Sequence, residues 1–154
     1  MNNALIVYEK KDQQKQYVDL NNKSLARFIS SITLKGVILL FVIAGIACAY
    51  ALHTYNRWFD PLMYYTNWSN ILVGIVSAVF ITLIVIQQCV KRQFISKGLL
   101  TLKLSSTVGI TLTGLTYDFV LSFTMNNPFG SFDSVALHII VPVLAIADLL
   151  VFDA

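Results

Sequence analysis

Four long apolar segments, separated by short polar stretches, dominate the pattern of hydrophobic and polar positions along the chain. A helix needs roughly 20 predominantly apolar residues to cross a bilayer. The first three segments satisfy that length, and the fourth only just reaches it. The pattern therefore predicts an all-α fold, a polytopic transmembrane bundle of four helices at about residues 32–52, 69–89, 99–123 and 135–152.

Composition supports a membrane protein. Hydrophobic residues make up 56% of the 154 residues and charged residues only 12%, whereas soluble domains carry about 25% charged residues. The length leaves room for one bundle, residues 31–154, preceded by a polar tail at residues 1–30 that we expect to be cytoplasmic. We expect no separate soluble domain and no cleavable signal peptide, because the first thirty residues lack an apolar core.

The positions of lysine and arginine predict the orientation in the membrane. Basic residues cluster in the tail and between the second and third segments: Lys10, Lys11, Lys15, Lys23 and Arg27, then Lys91, Arg92 and Lys97. Cytoplasmic loops carry such excesses, so the N-terminus is predicted to be cytoplasmic and the connections at 53–68 and 124–134 external. We expect Lys35 and Lys103, near the cytoplasmic ends of their helices, to extend toward the interface.

These features favour a multi-pass protein of the cell (plasma) membrane with the lipid bilayer as its partner. The net charge of +3 is small, and the basic residues flank membrane segments, which does not suggest nucleic-acid binding. Cys48 and Cys89 lie in or beside apolar segments without a CxxC partner or a nearby histidine. We therefore expect no metal, disulfide or cofactor, and interpret both cysteines as small hydrophobic residues.

Ionisable residues inside membrane spans are costly, so each is a candidate functional residue. Asp148 is interpreted as a polar contact between helices, or as a residue at the end of its helix. Asp118 and His138 belong to the third and fourth segments, and Thr66 begins the second. At about 1.5 Å of rise per residue, all three side chains fall within roughly 10 Å of the outer boundary of the hydrocarbon.

Helical spacing predicts which faces point inward. Thr66, Asn70, Gly74 and Ser77 fall on one face of the second helix, and small residues allow helices to approach closely in membranes. We expect this stripe to face the bundle. In the fourth helix, Pro142 removes the backbone hydrogen bond to the carbonyl of His138 and leaves a free acceptor there.

A threonine hydroxyl and a histidine base can together attack an ester, because the base activates an otherwise weak nucleophile. Thr66 and His138 are the candidate pair, with Asp118 or Tyr117 orienting the histidine and Asn70 as a candidate oxyanion donor. Spacing alone leaves a structural interpretation open, in which Thr66 caps its helix and His138 bonds a neighbouring helix.

Three stretches, "YYTNWSNIL", "TGLTYDFVLSF" and "ALHIIVPVLAIADLLVFD", together resemble the Pr6Pr family of bacterial integral membrane proteins. The matching positions are Thr66, Ser69, Asn70, Thr113, Gly114, Tyr117, Leu137, His138, Pro142 and Asp148. Leu149 stands where the family usually has tryptophan. Family members usually continue for further helices, so the resemblance implies a C-terminally short or fragmentary chain ending at "VFDA".

The chain is more distantly similar to the androgen-induced family of eukaryotic membrane proteins, which includes threonine hydrolases. That resemblance implies Thr66 as nucleophile and His138 as base, acting on an acyl-ester lipid that enters laterally from the outer leaflet. The alternative is a non-enzymatic membrane protein, either an accessory subunit or a bundle that handles a small molecule or an ion. The oligomeric state is left open.

Overall fold

The computed structural model describes residues 2–52, 65–90, 92, 94–121, 123 and 131–153, with side chains from residue 24 onward except at 52, 121 and 153. Within these residues every regular element is helical. The helices are α1 (Asn2–Leu52), α2 (Tyr65–Val90), α3 (Lys97–Thr116, continued by a π-helical turn at Tyr117–Leu121) and a fourth helical segment, α4, over residues 132–153. Most residues of the two connections predicted to be external lie outside the described residues.

The predicted all-α bundle is confirmed. Four helical stretches are long and apolar enough to cross a membrane, namely Ser24–Ala51, Tyr65–Val90, Lys97–Val120 and Phe132–Phe152. This is the architecture of a multi-pass membrane protein. The polar tail is continuous with the first span, because the backbone of α1 is helical from Asn2 to Leu52.

Helix α4 changes its winding around Pro142. It is α-helical at Phe132–Val135, π-helical at Ala136–Ile140, α-helical at Val141–Asp148 and π-helical at Leu149–Asp153. The N–H of Val141 bonds to the carbonyl of Ala136, five residues earlier. A wider turn is favoured here because Pro142 has no N–H with which to continue the α-helical pattern to His138.

The core lies at the centre of the bundle and draws on all four helices. Its buried members are Ile38 and Val42 from α1, Val73 from α2, Ile110 from α3, and Val141 and Ala145 from α4. The predicted inward stripe of α2 is confirmed at Asn70, Gly74 and Ser77, which are buried, whereas Thr66 is only half-buried. The opposite face of α2 points outward, with Ile75 55% exposed.

Candidate functional site

Asp148 holds two lysines inside the bundle. Lys35 Nζ lies 2.8 Å from Asp148 Oδ1, and Lys103 Nζ forms a second ion pair with Oδ2. Lys35 also donates to Ser31 Oγ at 2.9 Å. All three ionic side chains are buried, at 5% exposure or less. The expectation that the lysines extend to the interface is therefore wrong, and the interpretation of Asp148 as a contact between helices is confirmed.

The reason is electrostatic. A carboxylate in hydrocarbon costs several kcal/mol unless it is paired, and two ammonium groups supply both hydrogen bonds and charge. Aromatic faces lie close to each lysine: Lys103 Nζ is 4.9 Å from the ring centroid of Phe80, and Lys35 Nζ is 5.2 Å from that of Phe152. This ion cluster (Lys35, Lys103 and Asp148) joins α1, α3 and α4, and Phe80 connects it to α2.

A second polar region lies where α2 begins and α3 ends, which we call the Thr66 end. Ser69 Oγ is 3.2 Å from Thr113 Oγ1 and links α2 to α3. Asn70 Nδ2 donates to the carbonyl of Thr66 at 2.9 Å and to that of Leu137, in α4, at 3.3 Å. Because membranes offer no water to these groups, such bonds fix how the helices are arranged.

Tyr117 and His138 meet face to face in the same region. Their ring centroids are 3.6 Å apart and the planes differ by 11°. Each residue lies in a π-helical turn, one in α3 and one in α4. A Cβ placed on Gly114 would lie 2.7 Å from the carbonyl oxygen of His138, so glycine allows α3 to approach the carbonyl that Pro142 leaves free.

A groove opens between α2 and α3 at the Thr66 end. It has a volume of about 280 Å³ and is lined by Tyr65, Thr66, Leu112, Thr113, Thr116 and Tyr117. Leu112 and Tyr65 are largely exposed at its margin, so the groove faces outward from the bundle. Three of its six lining residues are threonines. Thr113 and Thr116 donate their hydroxyls to backbone carbonyls of α3, which leaves their oxygens as acceptors. We call it the α2–α3 groove.

The structure brings Thr66 and His138 to one end of the bundle but not into one hydrogen bond. Thr66 lines the α2–α3 groove and is the second residue of α2. His138 Nδ1 is buried and has no hydrogen-bond partner. The Tyr117 ring contacts His138 by stacking, and Asp118, next to it, is half-buried. The catalytic pairing stays a prediction. The missing hydrogen bond does not exclude it, because catalytic hydrogen bonds are often long before substrate binds.

The described residues provide few side chains that could bind a metal ion or stabilise an oxyanion. No cluster of three or more His, Cys, Asp or Glu side chains that could hold a metal ion occurs among them. Cys48 and Cys89 are free thiols. The amide nitrogen of Asn70, the candidate oxyanion donor, already donates to two backbone carbonyls.

Comparison of the chain with family models, with characterised proteins and with solved structures finds no match. Membership of the Pr6Pr family therefore stays a prediction from its three motifs. Several motif residues do contact one another across helices: Ser69 with Thr113, Tyr117 with His138, and Gly114 with the His138 backbone.

Proposed function

We propose that this chain is a multi-pass protein of the cell membrane, related to the Pr6Pr family, that binds a single-chain amphiphile in the α2–α3 groove. The observation that carries the proposal is the combination of hydroxyl groups and apolar surface in one outward-facing groove. Such a surface suits a molecule whose chain stays among lipid chains while its polar head reaches the threonines.

The size of the groove favours a small amphiphile. Ligand pockets usually measure about 300–1,000 Å³, and the groove, at about 280 Å³, lies just below that range. A single acyl chain with a compact head fits this volume better than a two-chain phospholipid. The positive-inside pattern would place the groove in the outer leaflet.

Binding is tested with a fluorescent single-chain amphiphile and the purified protein in detergent. Leu112→Trp should fill the groove and weaken binding at least tenfold. Leu104→Trp is the matched control, because Leu104 lies on the same helix with similar exposure, 49% against 57% for Leu112, but does not line the groove. Equal binding by both variants would contradict the proposal.

Hydrolysis of an acyl ester is the second candidate, favoured by a groove threonine near a buried histidine nitrogen that has no partner. Thr66 Oγ would attack the acyl carbon while His138 takes its proton. The alcohol would leave with that proton, and water would then release the acid from Thr66. Tyr117, which stacks on His138, would have to turn away for the two groups to meet, and Asp118 could then orient the histidine.

A fluorophosphonate probe tests this chemistry. Labelling should occur in the unaltered chain and disappear in both Thr66→Ala and His138→Ala. Thr116→Ala removes another hydroxyl of the same groove and should still be labelled. Labelling that persists in Thr66→Ala would exclude this nucleophile, whereas absence of labelling alongside amphiphile binding would favour the non-enzymatic function.

A further inference from the structure

Two buried side-chain atoms without a hydrogen-bond partner belong to Asn70 and His138, which contact residues that line the α2–α3 groove. Asn70 is 0% exposed, and its Oδ1 has no partner. The orientation of this amide is fixed, because its Nδ2 donates to two carbonyls, so Oδ1 must be the atom left over. His138 Nδ1 is the second atom without a partner, and it accepts a hydrogen bond in the tautomer that carries the proton on Nε2.

Unpartnered acceptors of this kind require an explanation. Buried polar atoms in folded proteins nearly always have a hydrogen-bond partner, and leaving one unpaired costs roughly 1–3 kcal/mol in general. The two hydrogen bonds of Nδ2 explain why an amide stands at position 70, but they leave Oδ1 without a partner. Oδ1 of Asn70 and Nδ1 of His138, which we call the acceptor pair, therefore indicate a donor that comes from outside the chain.

The acceptor pair is close to the groove on both sides. The Thr66 carbonyl, which binds the Asn70 amide, belongs to a residue of the groove wall. On the other side Tyr117 lines the groove, and its ring stacks on the His138 ring with 3.6 Å between the centroids. The Tyr117 side chain therefore links the groove to the imidazole. Tyr117 begins a π-helical turn, a feature frequent at functional sites.

We propose that the amphiphile carries hydrogen-bond donors on its head, in the form of free hydroxyl groups, and that these donors reach Asn70 and His138 when Tyr117 turns aside. The inference rests on the proposed function, because it names the class of ligand for the same groove. A water molecule could supply the same donors, so the experiment must separate a donor on the ligand from bound water.

The test compares two ligands of equal chain length, a monoacylglycerol with two free hydroxyls and its di-O-methyl ether, which has none. Each displaces a fluorescent single-chain amphiphile from the purified protein. The monoacylglycerol should bind roughly tenfold more tightly, the ratio expected for one or two net hydrogen bonds. His138→Phe keeps a ring for the stack but removes Nδ1, and Asn70→Leu removes the other acceptor.

The preference for the monoacylglycerol should fall in both variants and persist in Thr82→Val, which removes an exposed hydroxyl of α2. If Asn70→Leu fails to fold, His138→Phe alone decides. Equal binding of the two ligands, with binding still abolished by Leu112→Trp, would overturn the inference and leave the proposed function standing. That result would mean that the hydroxyl groups of the ligand do not bond to the acceptor pair. Binding of neither ligand would overturn both proposals.

Discussion

Lys35 and Asp148, 113 residues apart in the chain, form a buried ion pair at 2.8 Å between the first and last helices. Lys103 shares the same carboxylate from α3. One acidic side chain thus fixes the relative positions of three helices. This arrangement makes Asp148 a structural centre of the bundle, distant from the groove in which we propose that ligand binds.

Replacing Asp148 should therefore destabilise the protein strongly. Asp148→Asn leaves two buried ammonium groups without their carboxylate, and breaking a buried ion pair in this way costs about 3–5 kcal/mol. We expect a large drop in the thermal midpoint measured in detergent. The triple variant Lys35→Met, Lys103→Met, Asp148→Leu should recover most of the loss, because no charge is left buried.

Lys97→Met is the control for these variants, since Lys97 lies at the exposed start of α3. It should change the midpoint little, as exposed charges contribute little. If Asp148→Asn were no less stable than Lys97→Met, the ion cluster would not hold the helices together.

Close approach at Gly114 gives a second prediction. In Gly114→Ala the new methyl group would lie 2.7 Å from the His138 carbonyl oxygen, so α3 and α4 must move apart. Overpacking of this kind typically costs about 1–3 kcal/mol. The reduction should appear as a lower melting temperature in detergent.

Gly98→Ala serves as the comparison for Gly114→Ala. A Cβ at Gly98 would meet only Ser96 Oγ at 3.8 Å, an ordinary contact in the first turn of the same helix. Its stability should be unchanged or slightly raised, since alanine favours helix. Similar losses in both variants would show that glycine at 114 is not required for packing.

The positive-inside pattern predicts an orientation that labelling can test. In a background of Cys48→Ala and Cys89→Ala, a cysteine introduced at Phe123, which is 83% exposed at the end of α3, should react with a membrane-impermeant maleimide on intact cells. A cysteine at Ser24 should react only after permeabilisation. The opposite pattern would invert the bundle and put the α2–α3 groove in the inner leaflet.

Much of the fold follows from local rules. Hydropathy predicted the four helices, and 3.6-residue spacing predicted that Asn70 and Ser77 face inward, because both depend only on neighbours along one helix. The free carbonyl of His138 followed from Pro142 for the same reason. That this carbonyl meets Gly114 depends on how two helices cross, which spacing within either helix does not determine.

The ion cluster shows where local rules fail. Each lysine, taken with its own helix alone, is close enough to the interface to reach it. The sequence did carry a signal for the cluster, namely two lysines and one aspartate within the spans. Oppositely charged groups inside membranes pair with one another. Thr66 and His138 lie toward the same end of the bundle, and their shared depth in a membrane stays a prediction. Shared depth would not determine which way each side chain faces, and the Tyr117 ring stacks on His138.

The central claim is that the α2–α3 groove is a ligand site, and photocrosslinking tests it most directly. A single-chain amphiphile carrying a diazirine near its head would be bound to the purified protein, irradiated and mapped by mass spectrometry. We predict crosslinks concentrated at Thr66, Leu112, Thr116 and Tyr117, and their loss in Leu112→Trp. Crosslinks spread evenly over exposed positions of other helices, such as Leu40 and Leu150, would show that the groove binds no ligand selectively and would contradict the account.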